Sequence, residues 1–214
     1  MDVLVNNWDL FKQGFFTTLQ LLLLSGTLSL ALGTLLAAMR VSPVPALRRT
    51  GAGYVILLRN TPLTVVFFLV VFGFPALGVE ISFFARAVVS LTAYTAAFVC
   101  EAVRAGINTV AVGQAEAARA LGMSFSQTLR HVVLPQAVRS VLPPLASVII
   151  ALAKNTTVAA GFSVLEAGAI RAYLSERGES VVLGLLWVTV GFLIIVIPLS
   201  LVQRRLEARW AVAR

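Results

Sequence analysis

Apolar residues fill this chain in long runs, and polar residues gather in short segments between them. Runs recur at about 15 to 38, 54 to 76, 83 to 103, 138 to 165 and 181 to 202. Each is close to the ~17 to 25 residues needed to cross ~30 Å of hydrocarbon as a helix. Backbone groups inside lipid must be satisfied within the structure itself, so the pattern predicts an all-α polytopic membrane protein with about five transmembrane helices. No internal repeat, low-complexity tract or linker is evident, and the reading is one domain over 1–214.

Departures from pure hydrophobicity carry further expectations. In the first span Ser25, Gly26, Ser29 and Gly33 fall at spacings of three and four, a face on which another helix can approach closely. The segment 40–50, RVSPVPALRRT, reads as a short cytoplasmic connection. The second span opens with Arg59-Asn60-Thr61-Pro62, and proline there frees a carbonyl that neighbouring hydroxyls or water can satisfy. Arg59 has two readings, a snorkelling or helix–helix contact and a direct part in translocation. Glu101 and Arg104, three apart, read as a local ion pair that ends the third span. Lys154-Asn155-Thr156-Thr157 interrupts the fourth. A lysine central in hydrocarbon costs ~2.5 to 3.5 kcal/mol, so Lys154 is expected to face protein or a wet cavity. The break either lines a pathway or marks a bend between two shorter helices, and the sequence leaves both open.

Between the third and fourth spans lies GQAEAARALGMSFSQTLRHVVLPQ, residues 113 to 136. Strong helix formers follow Gly113, Gly122 supplies a C-terminal stop, and Glu116 is placed to pair with Arg119. Ser124-Phe125-Ser126-Gln127 has the form of a capping box for a second short helix. Pro135 is expected to block smooth continuation into the next span. Helices this short are marginal alone. The pattern is that of a rigid helical hairpin at the membrane face, packed on its own chain or on a partner.

Composition and charge narrow the class. The chain has 214 residues, 59% hydrophobic and only 12% charged, with a mean hydropathy of +0.94. A soluble domain carries roughly a quarter charged residues, so an ordinary cytosolic enzyme is excluded. A net charge of +8 would suit nucleic acid, but the basic residues follow the loops. With the N-terminus outside, the inner segments hold Arg40, Arg48, Arg49, Arg104, Arg119, Arg130, Arg139, Arg204, Arg205, Arg209 and Arg214. The outer segments hold only Lys12, Arg86, Arg171 and Arg177, together with the acids Asp2, Asp9, Glu80, Glu166, Glu176 and Glu179. This bias sets N-out, C-in. Arg59 and Lys154 remain within spans. The opening segment has two acids before its first lysine, the wrong order for a signal peptide, and is expected to stay on the mature protein. Cys100 stands alone, a small buried side chain that excludes an intrachain disulfide. His131 has no second His or Cys ligand nearby, so no metal site is expected and a surface or docking role is assigned.

Glu116-Ala117-Ala118, Gly122 six residues after the glutamate, and Val132-x-Leu134-Pro135 ten residues later resemble the EAA loop of importer permeases of the ATP-binding-cassette superfamily. Val132 departs from the commoner isoleucine. Four further blocks run in order along nearly the whole chain: Arg59-Asn60-Thr61-Pro62-Leu63, Ala105-Gly106-Ile107, Leu134-Pro135-Gln136-Ala137 and Lys154-Asn155-Thr156-Thr157. With Gly113-Gln114-Ala115-Glu116 they are similar to the polar amino acid subfamily. The runs RVSPV, RNTPLT, GINTV and KNTT are most like actinobacterial glutamate uptake permeases.

The resemblance implies that the loop at about 106–136 is a coupling helix that enters a groove on an ATPase. Its site residues would be Glu116, Ala117, Ala118, Arg119, Gly122, Leu134 and Pro135. Arg59, Thr61, Lys154, Asn155 and Thr157 are candidates for the substrate pathway. It further implies a bacterial plasma membrane location, two ATP-binding subunits, a second permease chain that is a paralogue or a second copy, and an extracytoplasmic substrate-binding protein. No G-x-x-x-x-G-K-S/T loop occurs, so ATP and Mg belong to the partner subunit, and no catalytic residue or nucleic-acid partner is expected here. The substrate implied is a polar amino acid, L-glutamate first, with glutamine or aspartate as alternatives. Cationic amino acid permeases often carry Asn-Glu after the LPPL-like segment, where this chain has Ser147-Val148. An ion-gradient-driven transporter is the rival class, and it lacks in-membrane carboxylates to couple a gradient.

Overall fold

The computed structural model describes residues 2–210, so Arg214, counted above among the inner basic residues, lies outside the described residues. Among those described, every regular element is helical. A short α1 (Asp2–Asn6) leads into α2 (Trp8–Val41), then α3 (Pro45–Arg59), α4 (Leu63–Ala76) and α5 (Phe83–Asn108). The hairpin is α6 (Val112–Ala120) and α7 (Phe125–Thr128). A π-helical turn (Leu129–Val133) joins α7 to α8 (Leu134–Asn155), which tightens into a 3-10 stretch (Thr156–Phe162). After a 3-10 turn (Ala167–Ala169) come α9 (Ile170–Glu176) and α10 (Val181–Trp210). Four helical stretches are long and apolar enough to cross a membrane, and the bent pair α3 and α4 makes a fifth if taken together.

That bent pair corrects two expectations. The run at 54 to 76 is not one straight helix, because α3 and α4 meet at 103°. Pro62 supplies no N–H to carry the ladder on, and carbonyls in the last turn of α3 are capped by side chains. Asn60 Nδ2 donates to Ile56 O at 2.7 Å and Thr61 Oγ1 to Leu57 O at 2.8 Å. Once those acceptors are satisfied, the helix stops and restarts at a new angle. The segment 40–50 is not a plain connection either, since Pro45 takes the first position of α3, where its missing N–H is dispensable.

The fourth crossing begins earlier than the sequence predicts. Pro135 does not interrupt it. Leu129–Val133 widens into a π turn, Leu134 N–H reaches back to Leu129 O, and Gln136 Nε2 donates to Val132 O at 2.9 Å. The wider register accommodates the proline, and the Gln136 side chain caps a carbonyl of the same turn. The hairpin's second helix is thus continuous with the crossing itself.

Packing follows the small-residue face expected in α2. Ser25 and Ser29 are fully buried. At Gly33 an added Cβ would lie 2.5 Å from Val99 Cβ and 2.8 Å from Ala96 O, so α2 and α5 touch nearly backbone to backbone. The main core joins Leu21, Phe67, Leu91, Leu152 and Phe162. Within it Phe67 stacks on Phe162 at 5.0 Å and Phe68 meets the same ring edge-on. A second cluster ties Phe11 and Leu10 to Ile170, Leu174 and Val188, and a third sets Leu36, Val55, Ala97 and Cys100 together. Large side chains such as Leu23, Leu69 and Ile194 point outward, more than three-fifths exposed, as lipid-facing residues do.

Candidate coupling hairpin and translocation site

The hairpin is built by its own backbone. Gly122 adopts φ +81°, and its N–H bonds to Arg119 O at 3.0 Å while Met123 N–H bonds to Ala118 O at 3.1 Å. This pair of bonds is the Schellman ending that glycine permits. The capping box forms as expected: Gln127 N–H donates to Ser124 Oγ at 3.3 Å and Ser124 N–H to Gln127 Oε1 at 2.8 Å. Ala118 is buried and anchors α6, whereas Glu116, Ala117 and Arg119 stand exposed. Glu116 and Arg119 do not pair. The ion pairs among the described residues all use Glu101, and an exposed pair at this spacing gains too little to hold two long side chains together. Leu134 and Pro135 are exposed at the hairpin's base, as is His131. Leu121 and Phe125 flank the turn, 84% and 79% exposed. Sequence reading passed over both. Their signal was two large apolar residues placed around a glycine turn in a polar segment.

Glu101 is more than half of a local pair. Arg104 Nη2 sits 3.0 Å from its Oε2, Arg59 Nη1 lies 3.4 Å from the same oxygen, and Arg40 contacts Oε1. Arg59 also lies 5.6 Å from the centroid of the Phe98 ring. This is the helix–helix contact among the two readings of Arg59. Thr61 is committed to the end of α3.

Phe98 forms one wall of a cavity of about 250 Å³ between α5 and α8, which Tyr94, Thr95, Ser147, Val148 and Asn155 also line. No carboxylate lines it. Of the five pathway candidates only Asn155 does so, and Arg59 is one ring away. Thr157 donates to Lys154 O at 2.7 Å and Thr156 to Ala153 O at 2.9 Å, which holds the change from α to 3-10 winding. The break therefore lies at a change of helical winding, and Lys154 is exposed on this chain rather than facing its interior.

At the end opposite the hairpin, Glu166 is fully buried, although sequence reading placed it among loop acids. Thr18 Oγ1 lies 3.3 Å from Glu166 Oε2 and accepts from Ala167 N–H at 3.0 Å. Burial pushes the carboxyl up to about 7, against the hydrogen bonds from Gly168, Thr18 and Ala169. Nothing in the sequence announces that burial. The arrangement is a hydrogen-bonded brace between α2 and the turn before α9.

Comparison with known proteins fits this geometry. The model of the family described as binding-protein-dependent transport system inner membrane component matches residues 29–212. Over 213 residues the chain is 40% identical to the glutamate transport system permease protein GluC of Corynebacterium efficiens, covering 94% of this chain and 93% of that one. It is 36% identical to the probable glutamine ABC transporter permease protein GlnM of Bacillus subtilis, covering 98% and 97%. A crystal structure of an amino acid ABC transporter with histidines superposes with a TM-score of 0.90, at 27% identity over 97% of both chains. The inward-facing MetNI methionine transporter shares the fold at a TM-score of 0.74 and 24% identity, covering 96% of this chain and 97% of that one. Membership implies an ATPase and a binding protein as partners, and the ion-gradient alternative falls with it. The chain belongs to the binding-protein-dependent transport inner membrane components, as a multi-pass permease subunit of an ATP-binding-cassette importer of polar amino acids that is not itself an ATPase.

Proposed function

We propose that this chain moves L-glutamate into the cell by alternating access, as one of two permease chains set on a pair of ATPase subunits. The loop charges favour an N-terminus outside and a C-terminus in the cytoplasm, with all of 1–214 acting as one permease domain. In this reading the hairpin of α6 and α7 enters the ATPase, with Glu116, Ala117, Ala118, Arg119 and Gly122 shaping it and Leu134 and Pro135 at its base. Leu121 and Phe125 supply the apolar contact. ATP must favour one state of the complex over the other for anything to move, and the hairpin carries that preference into the bilayer.

The observation that carries the substrate reading is the cavity between α5 and α8. Ser147 and Val148 stand on its wall, at the place where a carboxylate would favour a cationic substrate. Asn155 supplies a neutral polar group, with Thr61 and Thr157 at the two helix breaks, while Lys154 is exposed and the Arg59 guanidinium is held on Glu101 and Phe98 outside the cavity. A lining free of carboxylates sets no like charge against an acidic amino acid. The glutamate permease among the relatives agrees with this, while the probable glutamine permease keeps the neutral amide as the competitor to test.

The test is uptake into proteoliposomes that contain the permease, its ATPase and its binding protein, with labelled glutamate, glutamine, aspartate and arginine offered in turn. Glutamate uptake that needs ATP and survives an uncoupler is expected. Ser147→Glu should depress it. Preferential glutamine uptake, or glutamate uptake indifferent to Ser147→Glu, would refute the substrate reading.

A further inference from the structure

Three elements end on the carboxylate of Glu101. Arg40 lies in the last turn of α2, Arg59 is the last residue of α3, and Arg104 is one turn further along α5. The Glu101 side chain is 22% exposed and that of Arg40 18%, so the group is partly withdrawn from water. Beside it the apolar cluster of Leu36, Val55, Ala97 and Cys100 joins the same three helices. Two turns beyond Glu101, α5 ends at Asn108 and α6 begins at Val112. On the other side Arg59 is followed by the break Asn60–Pro62 and then by α4, whose Phe67 stacks on Phe162 below the break in the fourth crossing.

The 103° bend has no helical ladder through it, and side chains tie each arm to α5: Tyr54 Oη of α3 donates to Ala93 O at 2.7 Å, and Arg86 Nη1 of α5 donates to Val71 O of α4 at 3.1 Å. Glu101 adds the tie at the break itself, through Arg59. We infer that Glu101, through Arg59, is a positioning residue that clamps the elbow of α3 and α4 to the end of α5, so that displacement of the hairpin reaches α4 as the motion of one body. The Arg59 contact is the longest of the three, at 3.4 Å with the arginine side chain 45% exposed, so its part is to fix position rather than to add much stability. The guanidinium of Arg59 has a second anchor on Phe98, which sets the elbow against the cavity wall. The inference rests on the hairpin being the coupling element.

A simpler role for Glu101, neutralising nearby arginines, makes the opposite prediction for one variant. Arg59→Gln leaves Arg40 and Arg104 on the carboxylate and brings the group nearer to charge balance. If neutralisation were the whole role, this variant would transport normally. The clamp predicts that it loses transport while its partners stay bound.

The complete complex, in proteoliposomes, is assayed for ATPase retention, ATP hydrolysis and amino acid moved per ATP. For Arg59→Gln the expected result is full ATPase retention, continued hydrolysis, an unchanged half-saturating amino acid concentration, and a clear fall in amino acid moved per ATP. Glu101→Gln should behave alike, and Glu101→Asp, which keeps the charge, should recover part of the loss. Wild-type transport per ATP in Arg59→Gln overturns the clamp. So does loss of the ATPase, because the docking face is untouched, and so does a raised half-saturating concentration at normal stoichiometry, which makes Arg59 a substrate contact. Gly122→Pro, run in parallel, separates the two readings. If it keeps its ATPase and transports, the coupling role of the hairpin fails; if it does not while Arg59→Gln is normal, the clamp alone fails.

Discussion

Gly122 isolates a backbone effect from every other. An added Cβ there meets nothing within 4 Å, yet φ is +81°. Gly122→Ala therefore introduces no clash and costs only the left-handed conformation, about 1 to 2 kcal/mol. Asparagine tolerates that region through local hydrogen bonding, so Gly122→Asn should recover most of the loss. Proline fixes φ near −65° and has no N–H, which removes the 3.0 Å bond to Arg119 O. By comparison with helix interiors the cost is about 3 kcal/mol or more. A helix of nine residues such as α6 has little reserve of its own, so these costs should appear almost undiminished in docking. The expected loss of affinity for the ATPase is roughly 5- to 30-fold for alanine and more than about 100-fold for proline. Titration of purified ATPase against detergent-solubilised permease measures the series, with ATP-dependent uptake alongside. Equal affinity for glycine, alanine and proline would refute the reasoning, and a loss with asparagine as large as with alanine would show that something other than backbone conformation is at stake.

Three further outcomes are expected. Glu166 titrates near 7 in the folded chain against an ordinary 4.5, so its proton is held more tightly folded than unfolded. Its contribution to stability is complete below about 4.5 and is lost as pH rises through about 7, on the order of 3 kcal/mol. Glu166→Gln should abolish that part of the difference between melting temperatures at pH 5 and pH 8, and a variant with an unchanged pH profile would contradict it. Gly33→Ala should lower the melting temperature through an overpacking cost of about 1 to 3 kcal/mol, whereas Gly53→Ala, with nothing within 4 Å, should not. Leu121→Asp combined with Phe125→Asp should release the ATPase on purification and leave the permease's own melting temperature unchanged, because both side chains are already solvent-exposed.

The features legible in the sequence were local ones. The capping box, the Gly122 stop and the packing face of α2 each rest on spacings within one helix, and each formed as read. The first, third and fifth crossings were legible because each run stays apolar enough over a full span, and Arg86, Glu101 and Pro198 within them do not break the helix. The second was misread because hydropathy does not register that Asn60 and Thr61 turn back to cap α3. Pro135 was misread because a π turn can absorb it, a choice invisible to residue type. Glu101 showed its neighbour Arg104 but not Arg40 or Arg59, which arrive from distant segments. Glu166 was counted with the loop acids because burial by Thr18 and the turn before α9 is a tertiary event. Only part of the pathway set was gathered: Asn155 reached the cavity, Arg59 stopped one ring short of it, and Thr61 and Thr157 serve helix ends.

Leu121 and Phe125 also bear on biogenesis. If the hairpin docks as proposed, a permease that has not met its ATPase would present two exposed apolar side chains at the tip of a stiff knuckle. Such a patch invites chaperones and proteases. On the proposed docking role, permease made in excess of its ATPase would be short-lived, and the contact proposed to transmit work would also mark subunits left unassembled.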